Sequence, residues 1–361
     1  MSARSWLSLL LAGIVFVPLL GSPPAPACCP APPSGKPVVN ADQTVIILWD
    51  AAAKTQHFIR KASFKSEADD FGFLVPSPNT PELEESGNEA FPYLYDLTKP
   101  EIITKSRPSG GGCACLPQSP APGGRANALP GADVTVLLEK QVAGFHAKVL
   151  EAKSAEALVG WLKEHGYAFS PEVEAWAKPY VDQGWKITAL QVAKDKESKE
   201  KKTVAAAALR MTFKTDRPLF PYREPDSKSS AESLGATSRL LRIYFLAEAR
   251  YRGELTKEVS WTGKTAWAGK LTDENRKKTL DHLKLPETTG PAEWWLTEFE
   301  DNWPYRVAPA DVYFAVDPVQ DTVKRAPIIR YVASPWPADV MSYAIVAVLI
   351  VPPIVRRLRR R

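Results

Sequence analysis

Runs of β-branched and aromatic residues broken by turn residues, a few short helical periodicities with capping residues, and one apolar run stopped by arginines predict an α+β fold. The sheet is expected to be mostly antiparallel, accompanied by a few short helices and a C-terminal transmembrane helix. With 45% hydrophobic and 24% charged residues, the 361-residue chain has enough apolar material for a substantial core.

The first 27 residues carry Arg4, an apolar run from Leu7 to Leu20 and the small-residue end Ala25-Pro26-Ala27. That is the pattern of a secretory signal peptide cut after Ala27. Its competitor is a lipoprotein leader with Cys28 lipidated, but the Leu-small-small run that precedes such a cysteine is missing. Beyond the leader, "TVIILWD" (44–50), "QHFIRKASF" (56–64) and "FGFLVPSP" (71–78) read as a short antiparallel meander. "GNEAFPYLYDLTKPEI" (87–102) has helical spacing interrupted by Pro92 and reads as a short irregular helix. Residues 105–131, rich in Gly and Pro, read as a long loop.

Residues 133–153 follow as two strands with a tight turn near Gln141. Ser154 is placed to cap a helix whose Ala155, Leu158, Val159 and Leu162 share a face and which Gly166 stops. Ser170-Pro171-Glu172 starts a second helix carrying Val173, Trp176, Ala177 and Tyr180, which Pro179 should kink or end. "WKITALQVA" (185–193) and "TVAAAALRMTF" (203–213) flank "KDKESKEKK" and read as a long hairpin with a solvated tip, because acids interleave the lysines. Residues 238–251 read as a strand with a helical option in the second half, 274–285 as a helix, and 293–301 and 311–317 as strands.

At the C-terminus, Val340 to Val355 carries no charge and five arginines follow between Arg356 and Arg361. A helix over that run reaches about 24 Å, short of the roughly 30 Å hydrocarbon core, unless Trp336 sits at one interface and the arginines snorkel at the other. The competing reading is a buried core helix with a basic tail. The spanning reading gives a signal peptide at 1–27, an extracytoplasmic body at 28–335, a transmembrane helix at 336–355 and a cytoplasmic tail at 356–361. It also accounts for the net charge of +5: without Arg4 and the tail arginines, 40 basic residues face 41 acidic ones. A nearly neutral body argues against nucleic acid as a partner and leaves the membrane, through the C-terminal helix, as the expected one. An envelope protein or small ligand would be a further partner of unknown identity.

Candidate chemistry centres on four cysteines in two clusters, Cys28-Cys29 and Cys113-x-Cys115. In an oxidising compartment they are first a disulfide problem with three connectivities. Bridges between the clusters would close a loop of about 85 residues, for which chain entropy gives roughly 4.5 kcal/mol for the first bridge. Four thiolates also suit Zn²⁺ or Cu(I), although C-x₂-C spacing is absent, and thiol redox work remains open without its C-x-x-C signature. His57, His146, His165 and His282 lack ligand spacing, and Glu67, Asp69 and Asp70 read as a solvated turn rather than a Ca²⁺ loop. Trp294 and Trp295 would alternate faces on a strand, so on a one-sided sheet one of them is expected to be an exposed binding residue. No phosphate loop, dinucleotide fingerprint or Ser-His-Asp order is present, so no cofactor is expected and enzymatic activity stays undecided.

Several ordered blocks carry a resemblance: "VVNADQTVIILWD", "DDFGFLVPSPNTPEL", "GGGCACLP", "VTVLLEKQVAGFHAKVLEAKSAEALVGWLKEHGY", "PYVDQGWKITALQV" and "LRMTFKTDRPLFPYREP". Together they resemble the bacterial exported proteins catalogued as domain of unknown function 2330, from Cys28 to Tyr251 and more weakly to Asp317. The resemblance implies an exported bacterial protein, often with a C-terminal membrane anchor, and assigns no catalytic residue. The function expected is therefore a membrane-anchored binding or envelope-organising module stapled by disulfides, with a cysteine-dependent metal or thiol redox protein as the alternative.

Overall fold

The computed structural model describes residues 29–31, 43–61, 72–107, 134–167, 171–192, 207–225, 238–304 and 308–333. The leader, the charged tip after residue 193, the acidic turn at Glu67 to Asp70, the segment 336–355 and the basic tail lie outside the described residues. Among the described residues no helix is long and apolar enough to cross a membrane.

Seven strands form the larger sheet, in spatial order β14 (Lys264–Lys270), β15 (Trp295–Pro304), β12 (Ser238–Ala247), β2 (Gln43–Asp50), β3 (Thr55–Lys61), β10 (Ala208–Lys214) and β5 (Glu82–Ser86). All neighbours are antiparallel except β12 and β2. Five antiparallel strands form the second sheet: β1 (Cys29–Ala31), β4 (Gly72–Ser77), β9 (Lys186–Val192), β8 (Phe145–Ala152) and β7 (Val134–Val142). A three-stranded sheet joins β11 (Leu219–Phe220), β16 (Val312–Val316) and β13 (Tyr251–Glu254), and a parallel ribbon pairs β6 (Ile102–Arg107) with β17 (Ile328–Ala333). The helices are α1 (Ala90–Thr98), α2 (Ala155–Glu164), α3 (Pro171–Val181) and α4 (Asp273–His282).

Alternation along the strands divides the apolar residues into three layers. Val45, Ile47 and Trp49 of β2 point into a central core with Phe73 and Val75 of β4, Phe145 of β8 and Phe314 of β16. Ile46 and Leu48 point the other way, against Phe91 and Leu94 of α1 and Leu280 of α4. On the far side of the five-stranded sheet, Leu74, Leu150 and Ile187 meet Leu158, Trp161, Val173 and Trp176 of α2 and α3. The architecture is therefore helix, sheet, sheet, helix, with both large sheets covered on both faces.

Local chemistry explains the elements. Pro92 is the third residue of α1, in the first turn where its missing N–H has no intrahelical acceptor to lose. The Ser154 side chain accepts a hydrogen bond from Ala157 N at 3.1 Å, and Gly166, at φ 74°, ends the turn after α2. Pro171 opens α3, and Pro179 is followed by only two more helical residues, so it ends the helix rather than kinking it midway. Ala143 and Gly144, at φ 53° and 81°, make the two-residue turn between β7 and β8, just beyond the position expected from sequence.

Three expectations are corrected. β2 and β3 pair, but β4 crosses to the five-stranded sheet, so the meander has only two of its three strands. All six residues of β4 are buried, as a strand covered on both faces requires. β9 and β10 do not form a hairpin: β9 lies between β4 and β8, whereas β10 lies between β3 and β5. Residues 105–107 belong to β6 instead of the long loop. The strand reading of 238–251 holds over Ser238–Ala247 as β12.

Between the sheets runs the largely buried segment Leu219 to Glu224, which opens as β11 against β16 and then continues without a strand partner, its backbone held by side chains. Gln56 clamps Leu219, accepting from its N–H and donating to its carbonyl at 2.8 Å each. Asp311 Oδ1 accepts from Tyr222 N at 2.9 Å, Arg223 N at 3.1 Å and the Tyr180 hydroxyl at 2.8 Å. Trp176 Nε1 donates to Arg223 O at 2.9 Å. The Tyr222 hydroxyl donates to Asp301, which also accepts from Trp261 Nε1 and the Thr262 hydroxyl. Burial raises the Asp311 carboxyl above the usual carboxylate range, against the pull of those three donors.

Asp311→Ala strands three donors in the interior and is expected to cost about 3 kcal/mol or more, read as a lower denaturant midpoint at unchanged m. Asp311→Asn keeps the accepting oxygen and should lose about 1 kcal/mol or less.

Candidate functional site

The expected site residues fare differently in the fold. Cys29 opens β1 and pairs with Leu74 at the edge of the five-stranded sheet. Cys28, Cys113 and Cys115 lie outside the described residues. Trp294 and Trp295 are both buried, at 1% and 7% exposure, which corrects the expectation that one of them faces solvent. Trp295 begins β15 and points toward the central core. Trp294 precedes the strand and packs with the α1 and α4 layer, under the Arg276 guanidinium 5.2 Å from its ring. The premise of a one-sided sheet fails because helices cover the second face.

The histidines are dispersed. His57 sits on β3 with Nδ1 2.9 Å from the Thr212 hydroxyl, and burial, with the Arg210 charge adding to it, pushes its pKa down to about 4. His146 is exposed on β8. His165 stacks on Trp161 at 3.9 Å between centroids, and His282 lies 5.0 Å from the Tyr93 ring. Among the described residues, no group of three or more His, Cys, Asp or Glu is placed to hold a metal.

Two clefts open on the surface. One, of about 500 Å³, lies beside the β7–β8 turn, and its charges are engaged with one another: Arg210 with Glu84 and Lys284 with Glu85. The other, of about 580 Å³, is built where the β2–β3 turn, the ends of β4 and β10 and the starts of β9 and β11 converge. Trp185 and Tyr313 supply its aromatic surface, and Asn79, Lys54, Lys214 and Arg217 its donors. Lys54, at φ 46°, is held in the turn whose Ala53 N donates to Asp50 at 2.8 Å. Asn79 Nδ2 donates to Lys214 O at 2.8 Å, and Lys214 Nζ donates to Ala53 O and the Thr55 hydroxyl at 2.8 Å each, so the rim is cross-braced. Lys54 pairs with Asp216 at 2.7 Å and holds its carboxyl below the ordinary range.

Arg217 lies over Tyr313 at 5.2 Å and pairs with Glu254 at 2.8 Å. An aromatic wall beside a cationic, amide-bearing rim suits a small polar ligand with a flat or anionic face. None of these residues was singled out from sequence. They come from turns and strand ends as far apart as Lys54 and Tyr313, and the one local hint is the cationic cluster in "KTDR" (214–217) just before the buried segment.

The fold is an α+β sandwich whose surface bears an open polar and aromatic cleft. The chain belongs to the bacterial family described as "Uncharacterized protein conserved in bacteria (DUF2330)", which it matches over residues 23–314. No curated protein and no solved structure matches it.

His57 protonates near pH 4 in the folded chain but near 6.5 when unfolded, so between those values the unfolded state binds more protons. Stability should therefore be complete above about pH 6.5 and fall by up to about 3 kcal/mol as pH drops to 4. Guanidinium unfolding at several pH values checks this, and His57→Gln should flatten that part of the profile.

Proposed function

We propose that the protein is an exported, membrane-tethered binding module of the bacterial cell envelope, stapled by disulfides, with the Trp185 and Tyr313 cleft as its ligand surface. The observation that carries the tether is the ribbon of β6 and β17. Ile102, Ile328, Ile329, Tyr331 and Val332 are all exposed there, between 41% and 57%. Apolar side chains exposed on both strands are unusual for a surface bathed in water, and suit one held near lipid. β17 ends at Ala333, three residues before Trp336 and the apolar run of the expected transmembrane helix. The leader at 1–27 supports export, and the arginines after Val355 support a cytoplasmic C-terminus.

The staple is supported by the place of Cys29 on the edge strand β1, where a bridge to Cys113 or Cys115 would fasten the start of the body to the 105–131 segment. Metal or thiol redox chemistry at the same four cysteines is the second reading, favoured only by their clustering.

Mass spectrometry of the non-reduced, thiol-blocked protein is expected to show peptides linked between the two cysteine clusters. Free thiols carrying stoichiometric metal would replace the staple with the second reading. A reporter fused after Arg361 should be active only in the cytoplasm, and truncation before Trp336 should release the body from the membrane fraction; periplasmic reporter activity, or a body that stays in the membrane, would sink the tether. Trp185→Ala with Tyr313→Ala should abolish chemical crosslinking of the envelope ligand without lowering the unfolding midpoint by more than about 1 kcal/mol, since both side chains are only partly buried.

A further inference from the structure

Buried charges in this protein are matched with some care. Arg239 pairs with Glu224, and Arg210 with Glu84 and the Leu283 carbonyl. Arg242 and Arg325 share Glu298, at 2.8 and 2.7 Å, and Glu300. Arg60 breaks the pattern. It is 4% exposed, and none of its three guanidinium nitrogens has a hydrogen-bond acceptor. The ring of Phe73, on the facing sheet, has its centroid 5.5 Å from the Arg60 Cζ.

Register shows where this cation sits. Arg60 lies opposite Val45 on β2 and Leu209 on β10, so alternation turns it into the layer between the sheets. Gln43, two residues before Val45 and 4% exposed, is on the same face, and its Nε2 also has no acceptor. Gln43 in turn lies opposite Leu241 on β12, two residues from Arg239 on that face again. Three adjacent strands thus bring Arg60, Gln43 and Arg239 together at one end of the inter-sheet layer, with Glu224 beside them from the buried segment. Arg239 is paired with Glu224, whereas Arg60 brings a second guanidinium that has no hydrogen-bond acceptor.

An isolated buried cation costs several kcal/mol, and the usual escape is to lose the proton. A guanidinium cannot take that escape at neutral pH: burial, the largest influence, lowers the Arg60 pKa only to about 9, with Glu224 raising it and Arg239 lowering it. A fixed positive charge, a planar fork of donors and an idle amide donor within a low-dielectric layer make up the chemistry that holds an oxyanion.

We infer that the Arg60 end of the inter-sheet layer is a binding site for one small oxyanion, a carboxylate, sulfate or phosphate group, taken bidentate by Arg60 and supported by Gln43. The site is separate from the Trp185 and Tyr313 cleft: no residue lining that cleft belongs to it.

The test is calorimetric titration of the purified full-length chain in detergent with sodium phosphate, sulfate or succinate, against chloride at matched ionic strength. One saturable site per chain is expected, with Arg60→Lys weakening it about tenfold or more through loss of the fork, and Gln43→Leu about threefold. Saturation by phosphate or sulfate alone identifies a tetrahedral inorganic group, and saturation by succinate identifies an organic acid. No saturable heat with any of the three overturns the inference, as does an unchanged affinity in Arg60→Lys. Should the Arg60 variant fail to fold, the wild-type titration and Gln43→Leu decide the matter.

Discussion

The structure hangs on the need to satisfy a stretch of irregular backbone in its own interior. Beyond the two-residue pairing of β11 with β16, the stretch Leu219 to Glu224 runs between two sheets without a strand partner, and buried backbone without partners is costly enough to be rare. Asp311 answers two of the stretch's N–H groups with one oxygen, joining α3 through Tyr180, the segment through two amides, and the start of β16 through its own backbone. Gln56 and Trp176 do the same from β3 and α3. Helix α3, the seven-stranded sheet and the three-stranded sheet are thereby tied to one short peptide. A carboxylate is the economical choice because one oxygen takes three donors, at the expense of a charge the interior resists.

That central peptide also explains what could and could not be read from sequence. Strand existence was legible because alternation records which residues avoid water: β2, β3, β8, β12 and β16 lie close to where their apolar patterns put them. Helix ends were legible from Ser154, Gly166 and Pro171, whose effects are local. Strand partners were not. β9 and β10 both look like hairpin arms, and neither Ile187 nor Met211 says which sheet it will join. The all-buried β4 did hold a clue, since an unbroken apolar run requires two covered faces. The same oversight produced the error at Trp294 and Trp295.

The clefts were illegible for a related reason. The Trp185 and Tyr313 surface is assembled from the ends of both sheets, so its residues are neighbours only once the sheets are stacked. His57 reads from sequence as a lone imidazole without ligand spacing. In the fold it is a half-buried side chain between Thr212 and the Arg210 charge, an environment that keeps it neutral. Arg60 was invisible in a different way, because alternation assigns its place to the core, where a cation is not expected without a partner.

The route from the sheets to the C-terminus gives the fold a mechanical logic. After β16 the chain is pinned by Arg250 to Asp317 at 3.2 Å, by paired backbone bonds between Val323 and Ala268 at 2.8 Å, and by Arg325 to Glu298 and Glu300. Only then does it enter β17. Glu298 is fully buried and lies on β15 beside the parallel β12–β2 pair at the centre of the large sheet. A tether at 336–355, as proposed, would pull on β17 and load the Arg325 ion pairs before any apolar layer. Of these partners Glu298 is fully buried, and leaving a buried carboxylate without its cations is strongly unfavourable, whereas a two-stranded ribbon alone is marginal in water. In the proposed tether, the arginine network would be what lets a thin exposed ribbon serve as the stem.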